Sequence, residues 1–267
     1  MDSLVSKINS VLDNKTYKTE EYKWAKVSQE TDADFQQVDI PIDFPYELDI
    51  FQKQSASHIA KHENVIVTSH TGAGKSTVIT LAVLDGIRSG KVFVTNPIKA
   101  LSSQLYRKLK RSLDKDEKIR DLVEYANEEE DYYDYYEDES NYYSSSYVNQ
   151  SSVDQESLVG ILTGDDQINE EAPVVVMTTE ILHSMLMRNI NLNELQWVVI
   201  DEAHTIDSDR GHVIENVIAM LPEHVGIILL SATIPNAKDV AEWVGRNRHQ
   251  NVYLTGTTKR PVPLTFF

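Results

Sequence analysis

The stretch VIVTSHTGAGKSTVITLAVL at residues 65–84 decides the fold class of this chain. Residues 65–68 are all β-branched and predict a short buried strand, while the apolar run 78–84 favours a helix packed on a sheet. Between them, residues 69–76 match the pattern GxxxxGK[ST], except that Ser69 stands at its first glycine. A strand, a glycine-rich turn and a helix in this order predict a loop whose backbone N–H groups bind phosphate. The alternative is a glycine-rich turn with a chance lysine.

The residues of this loop predict a site for a nucleoside triphosphate and Mg²⁺. Lys75 is expected to contact the β- and γ-phosphates, and Ser76 to ligate Mg²⁺. The N-terminus of the following helix adds a favourable field for an anion. The cofactor-binding residues expected here are Thr71, Gly72, Ala73, Gly74, Lys75, Ser76 and Thr77.

A pair of carboxylates, in the string DEAH at 201–204, follows a second apolar run at 197–200. Asp201 therefore falls at the carboxyl end of a predicted strand, where open α/β sheets bind ligands. We expect Asp201 to hold Mg²⁺ together with Ser76, and Glu202 to orient or activate the attacking water. Lys75, Asp201 and Glu202 are thus the expected catalytic residues. The alternative for this string alone is a solvated acidic turn.

Composition limits the possible classes of protein. The chain has 267 residues, enough for one sizeable core or two small domains, and it is 41% hydrophobic and 25% charged, as globular proteins are. No apolar run approaches the roughly 20 residues of a membrane helix, so no membrane partner is expected. The N-terminus lacks the pattern of a signal peptide. The absence of cysteine excludes disulfides and predicts an intracellular, reducing compartment, either cytoplasm or nucleus.

The net charge of -17 is concentrated in one tract. Residues 124–147 contain nine Asp or Glu, eight Tyr and no Lys or Arg. Such a low-complexity, self-repelling segment cannot bury much core and is expected to be a flexible surface insertion. The functional alternative is an acidic phosphate mimic that competes for a nucleic-acid groove. Outside this tract the charge does not exclude a local path for a phosphate backbone.

Apolar runs and helical stretches alternate along most of the chain. After a helix that ends near His62, the predicted strands cover 65–68, 92–95, 158–162, 174–178, 197–200, 227–230 and 252–255. The predicted helices cover about 75–88, 99–113, 180–188, 212–220 and 237–245. This alternation predicts a single α/β domain over 41–260, with a mainly parallel sheet and helices on both faces. Residues 1–40 are expected to form a partly ordered arm.

Further strings resemble one known family in its characteristic order. They are LDIFQ (48–52), NPIKALSSQ (96–104), GILTGDDQINEEA (160–172), TTEILHSMLMRN (178–189), LLSATIPNA (229–237) and TTKRPVPL (257–264). Together with the loop and DEAH, they resemble the first RecA-like lobe, a P-loop NTPase domain, of superfamily 2 DExH-box helicases. Within that group they look like the superkiller-type RNA helicases associated with the exosome. Ala203 stands where the family more often has valine, and the 124–147 tract has no counterpart in the family's motifs.

The resemblance implies an ATP-dependent RNA helicase or RNA-stimulated ATPase, with ATP and Mg²⁺ as cofactors. It assigns Gln52 to the adenine edge, for which the alternative is a surface helix amide. The nucleic-acid-binding residues that it implies are Pro97, Lys99, Thr163, Gly164, Thr178 and Thr179. The residues implied to couple ATP hydrolysis to RNA are His204, Ser231 and Thr233. Without the resemblance, most of these are ordinary loop and helix-capping residues.

The resemblance also implies a second RecA-like lobe that supplies an arginine finger. Residues 261–267 resemble the start of a connector to it, so we expect that lobe in trans or missing from this chain. Such a chain is expected to bind ATP weakly, to hydrolyse it slowly and not to unwind RNA. Three rivals stay open: a DNA helicase lobe, a non-enzymatic binding module and one half of a split helicase. A divergent viral source is a further hypothesis.

Overall fold

The computed structural model describes residues 22–121, 123, 157–208, 211–232 and 236–257. The insertion expected at 124–147 and the connector expected at 261–267 lie outside these residues, as does Thr233.

One sheet of nine strands forms the centre of the described residues. Its strand order is β1-β9-β2-β8-β7-β3-β6-β4-β5, and every neighbouring pair is parallel except β4 with β5. The strands are β1 (Ala25–Val27), β2 (Asn64–Ser69), β3 (Lys91–Asn96), β4 (Val159–Leu162), β5 (Gln167–Ile168), β6 (Val174–Thr178), β7 (Leu195–Ile200), β8 (Gly226–Ser231) and β9 (Val252–Thr257). The predicted α/β class with a mainly parallel sheet is confirmed.

Helices cover both faces of the sheet. They are α1 (Asp32–Phe35), α2 (Ile50–Ala60), α3 (Lys75–Gly86), α4 (Lys99–Leu113), α5 (Thr179–Met187), α6 (Gly211–Met220) and α7 (Ala237–Arg248), with a 3₁₀ helix at Ala203–Asp207. Helices α2, α3 and α4 share one hydrophobic cluster with one face of the strands, and α5, α6 and α7 share the other. Because both faces are buried, the central strands consist of continuous Val, Ile and Leu runs, as expected for parallel sheets.

The sheet begins inside the expected N-terminal arm, at Ala25. Strand β1 pairs with β9 in parallel, through Ala25 and Val252. Two backbone amides, of Trp24 and Ala25, also donate hydrogen bonds of 2.7 and 3.1 Å to the Glu242 carboxylate. Part of the arm is therefore an edge strand.

The strand order places the two predicted halves of the site along one edge. Because the main strands are parallel, their carboxyl ends all meet at that edge. The ends of β2, β8 and β7 lie on the side that carries the phosphate loop and DEAH, and those of β3, β6 and β4 lie on the other. Among the described residues, no helix is long and apolar enough to cross a membrane.

Candidate functional site

The phosphate loop connects β2 to α3 through backbone that only glycine adopts easily. Gly72 has φ of 86° and Gly74, the N-cap of α3, has φ of 96°. A Cβ at Gly74 would lie 2.4 Å from Nε2 of Gln52, so a larger residue would be strained in its backbone and would displace the Gln52 amide. The predicted turn is therefore present, and its successive amides can line an anion site.

Lys75 folds back over this loop. Its Nζ donates hydrogen bonds to the carbonyl oxygens of Ser69 at 2.9 Å and His70 at 3.4 Å. The ammonium is thus held above the turn, at the N-terminus of α3, where it and the helix dipole both favour an anion. This is the position that the sequence predicts for a lysine that contacts phosphate.

The Ser76 hydroxyl accepts a hydrogen bond from a lysine that the sequence does not predict at the site. Nζ of Lys108, an exposed residue on α4, donates a 2.7 Å hydrogen bond to Oγ of Ser76. The oxygen that is predicted to ligate Mg²⁺ is therefore accessible to a positive charge. No group of three or more His, Asp or Glu side chains converges as a metal site in the described residues. A hydroxyl and a carboxylate suit Mg²⁺ of the kind that is bound mainly through substrate phosphates and water.

Asp201 lies one residue past the end of β7 and is fixed on both sides. Its backbone N–H donates to the carbonyl of Thr95 at 2.9 Å, and its Oδ1 accepts from the Glu202 amide at 2.9 Å. Burial raises the pKa of the Asp201 carboxyl, and the negative charge of Glu202 raises it further. The Glu202 amide, Lys75 and His204 act in the opposite direction. Lys75 and Asp201 therefore interact electrostatically, although they are far apart in sequence.

Glu202 adopts a left-handed backbone conformation. Its φ and ψ are 53° and 40°, which is uncommon for a residue other than glycine. Oε2 of Glu202 lies 3.2 Å from Nδ1 of His204, and the two side chains are 28% and 44% exposed. The expected base and the expected coupling histidine are thus in direct contact and open to solvent.

Gln52 is buried rather than displayed on the surface of α2. Its Oε1 accepts the backbone N–H of Asp49 at 2.8 Å, and its Nε2 donates to the carbonyl of Gly74 at 3.1 Å. The side chain is 4% exposed. The amide therefore connects the start of α2 to the phosphate loop. One N–H and one oxygen lone pair of the amide are left over for a base edge, because an amide has two of each.

Several residues expected to contact nucleic acid are grouped around the turn after β4. Nζ of Lys99, the first residue of α4, lies 2.9 Å from both carboxylate oxygens of Asp165. A Cβ at Gly164 would lie 2.9 Å from the same Nζ. Oγ1 of Thr163 accepts the amides of Asp165 at 3.3 Å and Asp166 at 3.0 Å. The acidic turn therefore orients the lysine, and Thr163 shapes the turn.

The remaining predicted nucleic-acid residues lie at the ends of β3 and β6. Pro97 is half-buried just past β3. Thr178 ends β6, and Thr179 begins α5, with 5% and 3% of their surfaces exposed. Oγ1 of Thr179 is buried and has no hydrogen-bond partner within the described residues. The structure brings these residues to the same edge as Lys99.

Of the residues predicted to couple hydrolysis to RNA, His204 contacts one of the DEAH carboxylates, whereas Ser231 forms no hydrogen bond to either. His204 contacts Glu202. Ser231 is the last residue of β8, and its buried Oγ has no hydrogen-bond partner in the described ranges. A hydrogen bond from Ser231 to the DEAH carboxylates is therefore not formed in this structure.

Two further residues contact the site and are not predicted from the sequence. Lys108 is one of several basic residues on α4, and no pattern marks it as the one that reaches Ser76. The Tyr46 hydroxyl lies 2.9 Å from Oγ1 of Thr77, beside the phosphate loop. Tyr46 lies six residues before Gln52, so its closeness in sequence to LDIFQ is the one feature that could have predicted a position near the nucleotide site.

Comparison with known proteins gives a consistent result. Residues 49–240 match the DEAD/DEAH box helicase family. "Antiviral helicase SKI2" of Saccharomyces cerevisiae is 40% identical over 224 residues, which are 83% of this chain and 14% of that protein. "Exosome RNA helicase MTR4" of Mus musculus is 35% identical over 84% of this chain and 18% of that protein. The chain therefore spans less than a fifth of the length of these relatives.

A solved structure supports the fold. The DUF1998 helicase MrfA, in a crystal structure bound to DNA and AMPPNP, superposes with a TM-score of 0.53 over 79% of this chain and 27% of that chain, at 20% identity. The relatives quoted come from yeast and mouse and lend no support to a viral source. The expected resemblance to superkiller-type helicases is confirmed, and this chain belongs to the DEAD/DEAH box helicase family.

Proposed function

We propose that this chain binds and hydrolyses ATP with Mg²⁺ as the first RecA-like lobe of an RNA helicase. The observation that carries the proposal is the arrangement of Lys75 and Asp201. Lys75 is held over a loop with two left-handed glycines. Its charge opposes the rise in the pKa of Asp201, which follows β7, a strand two places from β2 in the sheet. This arrangement suits a triphosphate on one side and a hydrated cation on the other.

Each residue has a defined task in this proposal. The loop amides and Lys75 bind the β- and γ-phosphates, and Ser76 and Asp201 are the residues that hold Mg²⁺. When bound, the metal neutralises charge that develops on the phosphate oxygens. Glu202 accepts the proton of the attacking water or orients it, and His204 positions the Glu202 carboxylate through their 3.2 Å contact.

The nucleic acid is proposed to cross the carboxyl ends of β3, β6 and β4. Lys99 supplies the charge for a phosphate, and the starts of α4 and α5 supply backbone amides. The Asp165 carboxylate holds the Lys99 ammonium through its 2.9 Å contacts. Such contacts recognise the sugar-phosphate backbone and carry no sequence preference. The names of the relatives, among them an exosome RNA helicase, favour RNA over DNA.

A second RecA-like lobe is part of the proposal. An arginine finger is typically worth about 10³–10⁵ in the rate of phosphoryl transfer. We expect it to come from that second lobe, in this or another polypeptide, because the chain covers only 14% of "Antiviral helicase SKI2". The lack of cysteine in all 267 residues agrees with a reducing compartment for the assembled protein.

ATP turnover by the 267-residue chain tests this proposal. Hydrolysis should be slow and dependent on Mg²⁺. Lys75→Ala should weaken nucleotide binding, and Glu202→Gln should abolish turnover while nucleotide still binds. Glu215→Gln, which makes the same change on the exposed side of α6, is the matched control and should behave as the parent. A parent chain that turns ATP over no faster than Glu202→Gln would make it a non-enzymatic binding module.

The identity of the nucleic acid needs its own experiment. RNA and DNA oligonucleotides of one sequence should be compared for binding and for stimulation of ATP turnover, at low and moderate salt. We expect the RNA to bind and stimulate more strongly. Equal or stronger effects of DNA would favour the DNA helicase lobe.

A further inference from the structure

A row of polar side chains crosses the carboxyl edge of the sheet between the two halves of the site. Asn96 of β3 is paired in register with Thr178 of β6. Thr95 is paired with Ile200, and its carbonyl accepts the Asp201 amide at 2.9 Å, so Asp201 lies beside Asn96 on the next strand. Asp201, Asn96 and Thr178 therefore occupy one level on three neighbouring strands.

These three side chains also point to the same face. Val94, Val199 and Val176 precede Asn96, Asp201 and Thr178 by two positions and belong to the cluster under α2, α3 and α4. Because side chains alternate along a strand, Asn96 and Thr178 continue onto that face. Asp201 follows the end of β7, and its electrostatic interaction with Lys75, the first residue of α3, agrees with the same face. Neighbouring strands lie only about 4.8 Å apart, a distance that a side-chain amide spans. Asn96 is thus the residue between the expected Mg²⁺ carboxylate and the start of α5.

The amide of Asn96 has no evident structural use. The residue is 1% exposed, and its Nδ2 has no hydrogen-bond partner among the residues described. A buried donor without a partner is costly and uncommon in folded proteins. By register, Asp201 and Thr178 are its neighbours on the two sides, and both side chains carry an oxygen that can accept a hydrogen bond.

We propose that Asn96 is a positioning residue that links the nucleotide site to the nucleic-acid site. Its amide makes neither bond in this structure. With ligands bound it donates to Asp201 or to the Thr178 hydroxyl, and the choice depends on whether Asp201 holds Mg²⁺ with its nucleotide. When the amide turns to Thr178, it fixes the start of α5, on which the nucleic-acid backbone is expected to rest. This inference rests on the proposed function, because it needs both ligands to bind this chain.

The test is the thermodynamic coupling between the two ligands. Binding of a fluorescent single-stranded RNA to the 267-residue chain is measured by anisotropy, with and without Mg·AMPPNP. The ratio of the two affinities is the coupling factor, which is typically about 5–150-fold in coupled proteins. In Asn96→Ala the ratio should fall to within about twofold of unity, because the relay is lost. Asn96→Ser, which keeps a donor, should retain part of the coupling.

The outcomes separate the two proposals. A merely structural Asn96 would lower the melting temperature but leave the ratio unchanged, which would overturn the relay. A parent chain that binds both ligands with an affinity ratio of one would also overturn the relay, because the two sites would not be coupled. A parent chain that binds neither ligand refutes the proposed function itself, and the relay with it.

A second measurement on the parent chain remains informative if Asn96→Ala fails to fold. The side-chain NH₂ group of Asn96 gives a pair of NMR signals, assigned by their absence from Asn96→Ser. These signals should move when Mg·AMPPNP is added, and they should not move in the same way in Thr178→Val, which keeps the shape of the side chain without its hydroxyl. Signals that ignore the nucleotide would refute the relay.

Discussion

Gln52→Ala distinguishes recognition of adenine from support of the phosphate loop. The substitution removes the hydrogen bonds to the Asp49 amide and to the Gly74 carbonyl, which measure 2.8 and 3.1 Å. A net hydrogen bond contributes about 0.5–1.5 kcal/mol, so the loss of both should lower the free energy of unfolding by about 1–3 kcal/mol. That loss of stability reflects only the structural role of Gln52. Because it loosens the phosphate loop, it should weaken the binding of every nucleotide alike.

The adenine contact adds a separate and selective effect. A well-formed bidentate pair with a base edge gives about 1–3 kcal/mol of discrimination, or roughly 5- to 150-fold in affinity. Binding of ATP and GTP to the parent chain should therefore differ by a factor in this range. In Gln52→Ala that preference should shrink towards unity, while both affinities also fall because the loop is less well held.

Isothermal titration of both nucleotides, with urea unfolding of each variant, measures the two effects. Gln54→Ala is the matched control, because Gln54 lies on the same helix and its amide donates to the Glu30 carbonyl at 3.2 Å, away from the loop. It should leave the ratio of ATP to GTP affinity unchanged. If Gln52→Ala weakens both nucleotides equally, Gln52 supports the loop and does not read the base.

Three further perturbations test the metal site and the core. Lys108→Ala should lower the Mg²⁺ concentration needed for nucleotide binding by about 1.5- to 5-fold, because the lysine and Mg²⁺ compete for Oγ of Ser76 and an exposed charge contact is worth about 0.2–1 kcal/mol. Lys108→Arg should behave as the parent, and a higher Mg²⁺ requirement in Lys108→Ala would contradict the competition. Since burial raises the pKa of Asp201, Mg²⁺-dependent nucleotide binding should fall as the pH drops through that raised value, and Asp201→Asn should bind weakly at every pH in the same titration. Burial likewise raises the pKa of Asp85, which accepts a 2.8 Å hydrogen bond from Nε1 of Trp197. The stability that the protonated Asp85 carboxyl contributes is therefore full below the unfolded pKa of about 3.9 and is lost as the pH rises through the folded pKa. Asp85→Asn should therefore resist urea better than the parent at pH 7 and lack this pH dependence, and an equal or lower midpoint would count against the reasoning.

The sequence predicts the central strands and helices well because their burial is written in continuous apolar runs. The run at 174–178 coincides with β6, and the helix predicted at 99–113 coincides with α4. Strand β1 escaped because it has three residues, of which two are exposed, so its pairing with β9 comes from tertiary contacts and not from its own pattern. The two-residue strand β5 escaped for the same reason.

In the candidate site too, local spacing predicts some positions, while others depend on how distant segments pack. The positions of Lys75, Ser76 and Asp201 could be predicted, because fixed spacing after a strand dictates where a residue falls at the sheet edge; their roles stay predictions. The contact of Lys108 with Ser76 joins two helices, and its geometry depends on how both pack. The position of Asn96 beside Asp201 depends on strand order and register, which link residues more than a hundred positions apart. Neither relation is present in a local pattern.

The left-handed backbone of Glu202 has a consequence for how this chain can vary. For a residue with a Cβ, this conformation costs roughly 1–2 kcal/mol, and glycine is free of that cost. Glu202→Gly should thus melt at a higher temperature than the parent in calorimetry, although it lacks the expected base. Activity and robustness would then be opposed at this one residue, and a selection for thermal tolerance alone would drift towards inactive chains.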